Sequence, residues 1–417
     1  MNLPANLRAL MISTQIKQTF TALSYPNYRL WFIGQVVSLI GTWMQATAQG
    51  YLVYELTGSP AFLGYVSFAN GLPTWLFSLY GGVIADRIPR RKMLVITQSF
   101  MLLLALVLAV LTFTGAVLPW HIIALSFLLG TANAFEAPAR QSFVTELVER
   151  KDMTNAIALN STMFNVGTVI GPAVAGLIYA WAGPGWCFTL NGISFIAVIA
   201  ALVLMKLANV TVDPSTASAP KKLIEALHFS WRNKTIRSLF INLAVMGFFG
   251  FSLMALLPAW TVEVLHGDAR VNGWLLSARG IGSLFGALMI ATVGSRGFRG
   301  KIWTVGYLLA PIFLIIFAVL RWLPASLLVL ALGGWAFMSM LNITNTLVQS
   351  HVPDELRGRV MGIYALVFLG GTPLGSLLAG WMAEKINAPV TLVTFSSIVL
   401  LMAIVTFFTH PEMRKLN

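Results

Sequence analysis

Cysteine, charge and acidic side chains are all scarce in this chain of 417 residues, and each scarcity removes a class of explanation. The single cysteine, Cys187, excludes an internal disulfide and offers no metal or redox pair; it reads as a small buried apolar residue. Charged residues make up 10% of the sequence, against roughly 25% in soluble globular domains, so water is not the solvent of most of this surface. Only 14 residues are acidic against 27 basic ones, a net charge of +13. Gathered on one face, that excess would suit nucleic acid. Here it sits in short turns between apolar runs, so no nucleic-acid partner is expected. His121, His228, His266, His351 and His410 are scattered, which speaks against a metal site, and no GxxxxGK[ST] phosphate loop is present, so no cofactor is expected. An enzyme would need clustered Ser, His and Asp or paired carboxylates near one membrane face. None is evident.

What is present in abundance is apolar length. Mean hydropathy is +0.79, and twelve runs are long enough to cross a bilayer, which takes about 20 helical residues. They fall near 29–52, 61–85, 93–114, 120–140, 155–181, 187–206, 236–260, 271–292, 302–320, 326–348, 360–383 and 390–408. No ten-residue alternation of a β-barrel appears. The expected fold is all-α and integral to the membrane: twelve transmembrane helices in two pseudo-symmetric six-helix bundles. Only the stretch with Pro214, Ser215, Ser218, Pro220, Lys221 and Lys222 is long and polar. This gives an N-terminal tail over 1–28, a bundle over 29–206, a linker over 207–235, a second bundle over 236–408 and a tail over 409–417.

Basic residues set the expected orientation. With both termini cytoplasmic, 23 of the 27 Lys and Arg fall on the inside, leaving Arg270, Arg321 and Lys385 outside and Arg279 within a span. The first 25 residues lack a compact apolar core with a small-residue cleavage site, so no removable signal peptide is expected. Leu7–Phe20 reads either as a weakly amphipathic surface helix or as a poorly ordered tail.

The chain is written twice. GYVSFANGLPTWLFSLYGGVIADRIPRRK at 64–92 corresponds to GWLLSARGIGSLFGALMIATVGSRGFRGK at 273–301, an offset of 209 that matches Gly64 with Gly273, Gly71 with Gly280, and Arg87, Arg90 and Lys92 with Arg296, Arg299 and Lys301. Further on, at an offset of 204, Gly167, Gly171 and Gly176 answer Gly371, Gly375 and Gly380. A membrane hairpin repeated in corresponding places of two halves points to a transporter with its site between them.

Three segments carry a family resemblance. GGVIADRIPRRK at 81–92 resembles the signature loop of the major facilitator superfamily, with Pro89 where that family usually has glycine. FEAPARQSFVTELVERKDMTNAIALNS at 135–161 and VYELTGSPAFLG at 53–64 are similar to its secretion-effector branch, which includes siderophore and macrolide exporters. The resemblance spans Tyr25 to Phe408. It implies export of a small amphiphilic molecule across a bacterial cytoplasmic (inner) membrane by alternating access, with proton antiport and a monomeric protein; an uptake permease or lipid carrier of the same fold is the alternative. GTVIGPAVAG at 167–176 resembles the fifth-span motif of the superfamily's antiporters, while Gly167, Gly171, Pro172 and Gly176 taken alone read as helix packing.

Two polar seams stand out. Gln35, Ser38, Thr42, Gln45 and Gln49 on span 1, and Trp335, Ser339, Asn342, Thr346 and Gln349 on span 10, each repeat every three or four residues and share a helix face. They read as cavity lining or as interhelical hydrogen bonding. The resemblance favours the former, since spans 1, 4, 7 and 10 surround the central cavity in that superfamily. Asn70 and Arg279 occupy the same place in the two repeats, and Arg279 is expected to pair with Glu263 or to bind an anionic solute. Glu136 and Arg140, at i and i+4 on span 4, form either a structural salt bridge or a proton-coupling pair. Many drug–proton antiporters of the superfamily have a carboxylate in the body of span 1; this chain has none there, and Glu136 is the residue that could substitute. Asp86, reinforced by Arg87, Arg90 and Arg91, is expected to latch onto the start of span 11 near Asp354; the plainer reading is that these basic residues only fix topology. Ser295 replaces Asp86 in the second repeat, which makes such a latch one-sided.

Overall fold

A computed structural model describes residues 20–85, 88–206, 219–293 and 297–416. Helices account for nearly all of them, and among the described residues there is no strand. Among the described residues, ten helices are long and apolar enough to cross a bilayer. Two further long helices, Pro26–Thr57 and Pro60–Ala85, are spans 1 and 2, the first diluted by its own glutamines. Spans 3 to 6 are Arg90–Phe113, Pro119–Leu147, Met153–Ala182 and Pro184–Leu204. Spans 8 to 12 are Ala269–Val293, Arg299–Val319, Leu323–His351, Asp354–Lys385 and Ala388–Thr409.

Local chemistry sets the boundaries. Proline opens spans 1, 2, 4 and 6, where its missing N–H costs nothing and its fixed φ suits the first turn. Span 1 ends at Gly58, whose φ of 62° lets its N–H cap the Tyr54 carbonyl. The linker is not wholly irregular: Ala219–Arg232 forms a helix.

Span 7 is broken. An α-helix over Lys234–Val245 passes into a π-turn over Met246–Gly250, a 3₁₀ stretch over Phe251–Leu256 and a second α-helix over Leu257–Leu265. Glycines at 247 and 250 weaken the helix, and Pro258 lacks a backbone donor about two turns on, at the start of the second α-helix. Irregular backbone at membrane depth is tolerated where it is enclosed by protein or lines a cavity.

The packing repeats between the halves. Spans 1–5, 1–6, 2–4, 3–4 and 3–6 touch in the first half, and their counterparts 7–11, 7–12, 8–10, 9–10 and 9–12 touch in the second. The halves meet along spans 2 and 11 and along spans 5 and 8. Large apolar side chains such as Leu103, Val110, Ile193, Val203, Leu288 and Leu401 point outward, while Gln35, Gln45, Gln49, Asn191 and Asn242 are buried. That distribution suits hydrocarbon outside and polar contacts within.

Candidate functional site

The two inter-half seams are closed by the repeated glycines. Gly64 lies against Gly380, and Gly273 against Gly176. These are the same contact made twice, because Gly64 and Gly273 are repeat mates and so are Gly176 and Gly380. Two turns deeper, Gly71 meets Pro373 and Gly280 meets Val169, again a repeated pair. Glycine lets the backbones approach closely enough for direct contact. Gly167 and Gly171 instead seat span 5 on Leu39, Ile40 and Trp43 of span 1, and Gly371 and Gly375 seat span 11 on Phe248 of span 7.

Polar bonds reinforce the seal at the same end of the bundle. The Tyr54 hydroxyl donates to Glu263 Oε1 at 3.0 Å across 209 positions. That separation equals the repeat offset, so the bond joins equivalent positions and crosses the pseudo-twofold axis. Glu384, at the end of span 11, accepts from Ser59 Oγ at 2.6 Å and from the Ala61 N–H at 3.4 Å. A carboxylate at the first turn of span 2 also meets the positive end of its dipole. Tyr179 donates to Glu55 within the first half.

Beneath this seal lies a cavity of about 420 Å³, a size usual for small-molecule sites. Its lining is organised in repeat mates. Thr42, Gln45, Ala46 and Gln49 of span 1 answer Phe251, Met254, Ala255 and Pro258 of span 7. Leu63, Ser67 and Asn70 of span 2 answer Asn272, Leu276 and Arg279 of span 8, and Thr168 and Pro172 of span 5 answer Thr372 and Ser376 of span 11. The void therefore sits on the pseudo-twofold axis. Its walls differ: span 1 presents amides and a hydroxyl, where span 7 presents an aromatic ring, a thioether and aliphatic carbon.

Most first-half amides already have partners. Asn191 Nδ2 donates to Gln45 Oε1 at 2.7 Å, Gln49 Nε2 to Ser126 Oγ at 2.6 Å, and Asn70 Nδ2 to the Ser126 carbonyl at 3.3 Å. The second half is less well satisfied. Asn272 is fully buried, and among the described residues neither its Nδ2 nor its Oδ1 has a partner. Arg279 Nε is likewise unpartnered, and its guanidinium carbon lies 5.4 Å from the centre of the Phe251 ring.

Of the residues expected to bind solute, Thr42, Gln45, Gln49, Asn70 and Arg279 line this cavity. Gln35, Trp335, Asn342 and Thr346 are not among its lining residues. Span 10 is pressed onto the far side of span 8, with Gly334 against the Arg279 carbonyl and Gly286 against that of Trp335; Thr346 bonds to the Asn342 carbonyl of its own helix at 3.0 Å. The expected pairing of Arg279 with Glu263 is not made, because Glu263 is bonded to Tyr54. Among the described residues Arg279 makes no ion pair.

Glu136 and Arg140 do pair, at 3.3 Å. Glu136 is 5% exposed, and Gln98 Nε2 of span 3 reaches it at 3.5 Å. Asp86 and Arg87 lie outside the described residues. Arg90 and Arg91 hold their own half and not the start of span 11: Arg90 binds Glu146 at 2.6 Å, Arg91 donates to the Val203 carbonyl at 2.9 Å, and Asp354 pairs with Arg357. Sequence reasoning missed Asn272, Phe251 and Met254. The glycines and proline around the span 7 break were the available signal for the last two.

Comparison with known proteins gives a consistent picture. A family model described as transmembrane secretion effector matches residues 17–417. The chain is 26% identical over 386 residues to the multidrug efflux pump Tap of Mycolicibacterium fortuitum, covering 90% of this chain and 94% of that protein. It is 29% identical over 364 residues to the staphyloferrin A transporter of Staphylococcus aureus, covering 85% and 89%. Against the enterobactin exporter EntS of Salmonella typhi it is 25% identical over 380 residues, covering 87% of each chain. In fold it is similar to the nucleoside transporter NupG, with a TM-score of 0.73 at 14% identity over 92% of this chain and 99% of that one.

Proposed function

Because the chain belongs to the transmembrane secretion effector family, within the major facilitator superfamily, we propose that it exports a small amphiphilic molecule across a bacterial cytoplasmic membrane by alternating access. It works as a monomer and exchanges the solute for protons. The observation that carries this reading is the 420 Å³ cavity on the pseudo-twofold axis, between halves whose main contacts run along two glycine-closed seams. Such an arrangement lets one half rock against the other about a fixed site. The efflux and siderophore-export roles of the relatives support the outward direction.

With the basic residues inside, both termini are cytoplasmic and the sealed end faces out. Release of the solute then requires Tyr54 to leave Glu263 and Ser59 to leave Glu384. Tyr54→Phe removes one hydrogen bond to a charged group, worth roughly 1.5–3 kcal/mol when buried and less at this part-buried site. Its expected effect is about three- to tenfold faster reaction of a Ser67→Cys reporter in the cavity with an external, membrane-impermeant maleimide. No change in that rate would remove Tyr54–Glu263 from the gate.

The overall reading is tested by flux in proteoliposomes loaded with a macrolide and siderophore panel. Uphill movement of at least one member should follow an imposed pH gradient and reverse when the gradient is reversed. Downhill movement insensitive to the gradient would leave a facilitator, and no movement of any member or of lipid would defeat the transporter reading.

A further inference from the structure

Among the described residues, Arg279 and Asn272 are the two that both line the central cavity and carry buried polar atoms without a partner, and they lie two turns apart on span 8. A guanidinium in the interior of a membrane protein normally has a carboxylate partner. Arg279 has none among the described residues; Glu263, on the neighbouring span, is bonded to Tyr54. Asn272 is 0% exposed, and both ends of its amide lack partners, an arrangement that buried amides rarely tolerate. The internal repeat supplies a control. At the equivalent positions the first half has Leu63, which needs no partner, and Asn70, whose amide is satisfied by the Ser126 carbonyl at 3.3 Å. Among the described residues that line the cavity, the buried groups without partners, the Asn272 amide and Arg279 Nε, thus lie on one wall. That wall also holds the apolar Phe251 and Met254, and the Phe251 ring flanks the guanidinium.

Resting on the transport reading above, we propose that the cavity selects an amphiphilic anion. Arg279 and the Asn272 amide bind a carboxylate, while Phe251 and Met254 receive the apolar body. An oxyanion supplies the acceptors that both side chains lack, and Arg is the side chain suited to such a group through paired N–H donors. The ring beside Arg279 offsets part of the cost of its charge while the cavity is empty.

The test uses purified full-length protein and three matched probes: 2-naphthoxyacetate, its neutral amide, and 2-(2-naphthoxy)ethylammonium. Binding is followed by quenching of tryptophan fluorescence, to which Trp43 in the cavity wall contributes. The wild type should bind the carboxylate at least about tenfold more tightly than either other probe. Arg279→Asn, which copies the residue of the first repeat, should abolish that preference by weakening the carboxylate to the level of the amide, and Arg279→Lys should retain part of it. Asn272→Leu, copying Leu63, should weaken the carboxylate about three- to tenfold and the amide little. Equal binding of carboxylate and amide by the wild type, no saturable carboxylate binding, or a preference that survives Arg279→Asn would each overturn the anion site. Parallel flux in proteoliposomes separates the two readings. Arg279-dependent binding without movement keeps the site and defeats export; movement of the ammonium probe with rejection of the carboxylate keeps export and defeats the site.

Discussion

Replacing Gly64 and Gly273 together by leucine is expected to abolish transport and to leave the cavity reachable from the sealed end. A Cβ at Gly64 would sit 2.7 Å from the Ser376 carbonyl oxygen, and one at Gly273 would sit 3.1 Å from the Gly176 backbone. Both obstacles are main chain, which cannot swing aside as a flexible side chain can. Spans 2 and 11, and spans 5 and 8, would have to separate. Overpacking costs roughly 1–3 kcal/mol per site, and two sites together move a two-state balance by about 30- to 10⁴-fold. The double variant should therefore shift strongly toward the state open at this end. A Ser67→Cys reporter reads this out, and the native Cys187, fully buried, contributes no background. External maleimide should label the double variant at least about tenfold faster than the parent, with export lost. Normal export together with unchanged labelling would mean that these glycines fill space without governing closure. Gly64→Ala and Gly273→Ala give graded versions in the event that the leucines prevent folding.

The repeat that predicts this experiment was visible in the sequence because glycine is chemically distinctive. Gly64, Gly71, Gly273 and Gly280 could be aligned by eye, and the structure places all four at inter-half contacts. The Tyr54–Glu263 bond was hidden for the opposite reason. Its partners are repeat mates, yet a phenol and a carboxylate look unrelated, so the alignment gave no signal even though the bond crosses the axis. The span 1 seam was readable from helical spacing alone, since Thr42, Gln45 and Gln49 share a face that reaches the cavity. An equally regular seam on span 10 does not reach this cavity; periodicity identifies a face and not its neighbour. Gly286 and Gly334 bring span 8 close against span 10, and Arg279 and Phe251 stand on the cavity wall that span 10 was expected to supply. The linker helix Ala219–Arg232 was obscured by the prolines and serines preceding it.

Glutamine in place of Glu136 is expected to uncouple export from the proton gradient while leaving passive exchange of solute intact. The carboxylate is 5% exposed and held between Arg140 at 3.3 Å and Gln98 at 3.5 Å, on the spans that pack together inside the first half. It can take a proton only when solvent reaches it, and on doing so it releases Arg140. That link between charge and packing is what a coupling residue requires. A carrier exchanging one proton charge against 100 mV gains about 2.3 kcal/mol, equivalent to a roughly 50-fold accumulation ratio. Glu136→Gln should bring that ratio close to one, with solute exchange in the absence of a gradient within about twofold of the parent. A purely structural salt bridge makes a different prediction. Removing one partner of a buried pair strands the other charge at a cost of roughly 3–5 kcal/mol, so Glu136→Gln would then lower thermal stability and all modes of flux together. The double variant Glu136→Gln with Arg140→Gln separates the two cases, because it removes the stranded charge. Recovery of stability without recovery of gradient-driven export establishes coupling through Glu136. Recovery of both reduces the pair to a strut and moves the search for the proton site to another carboxylate.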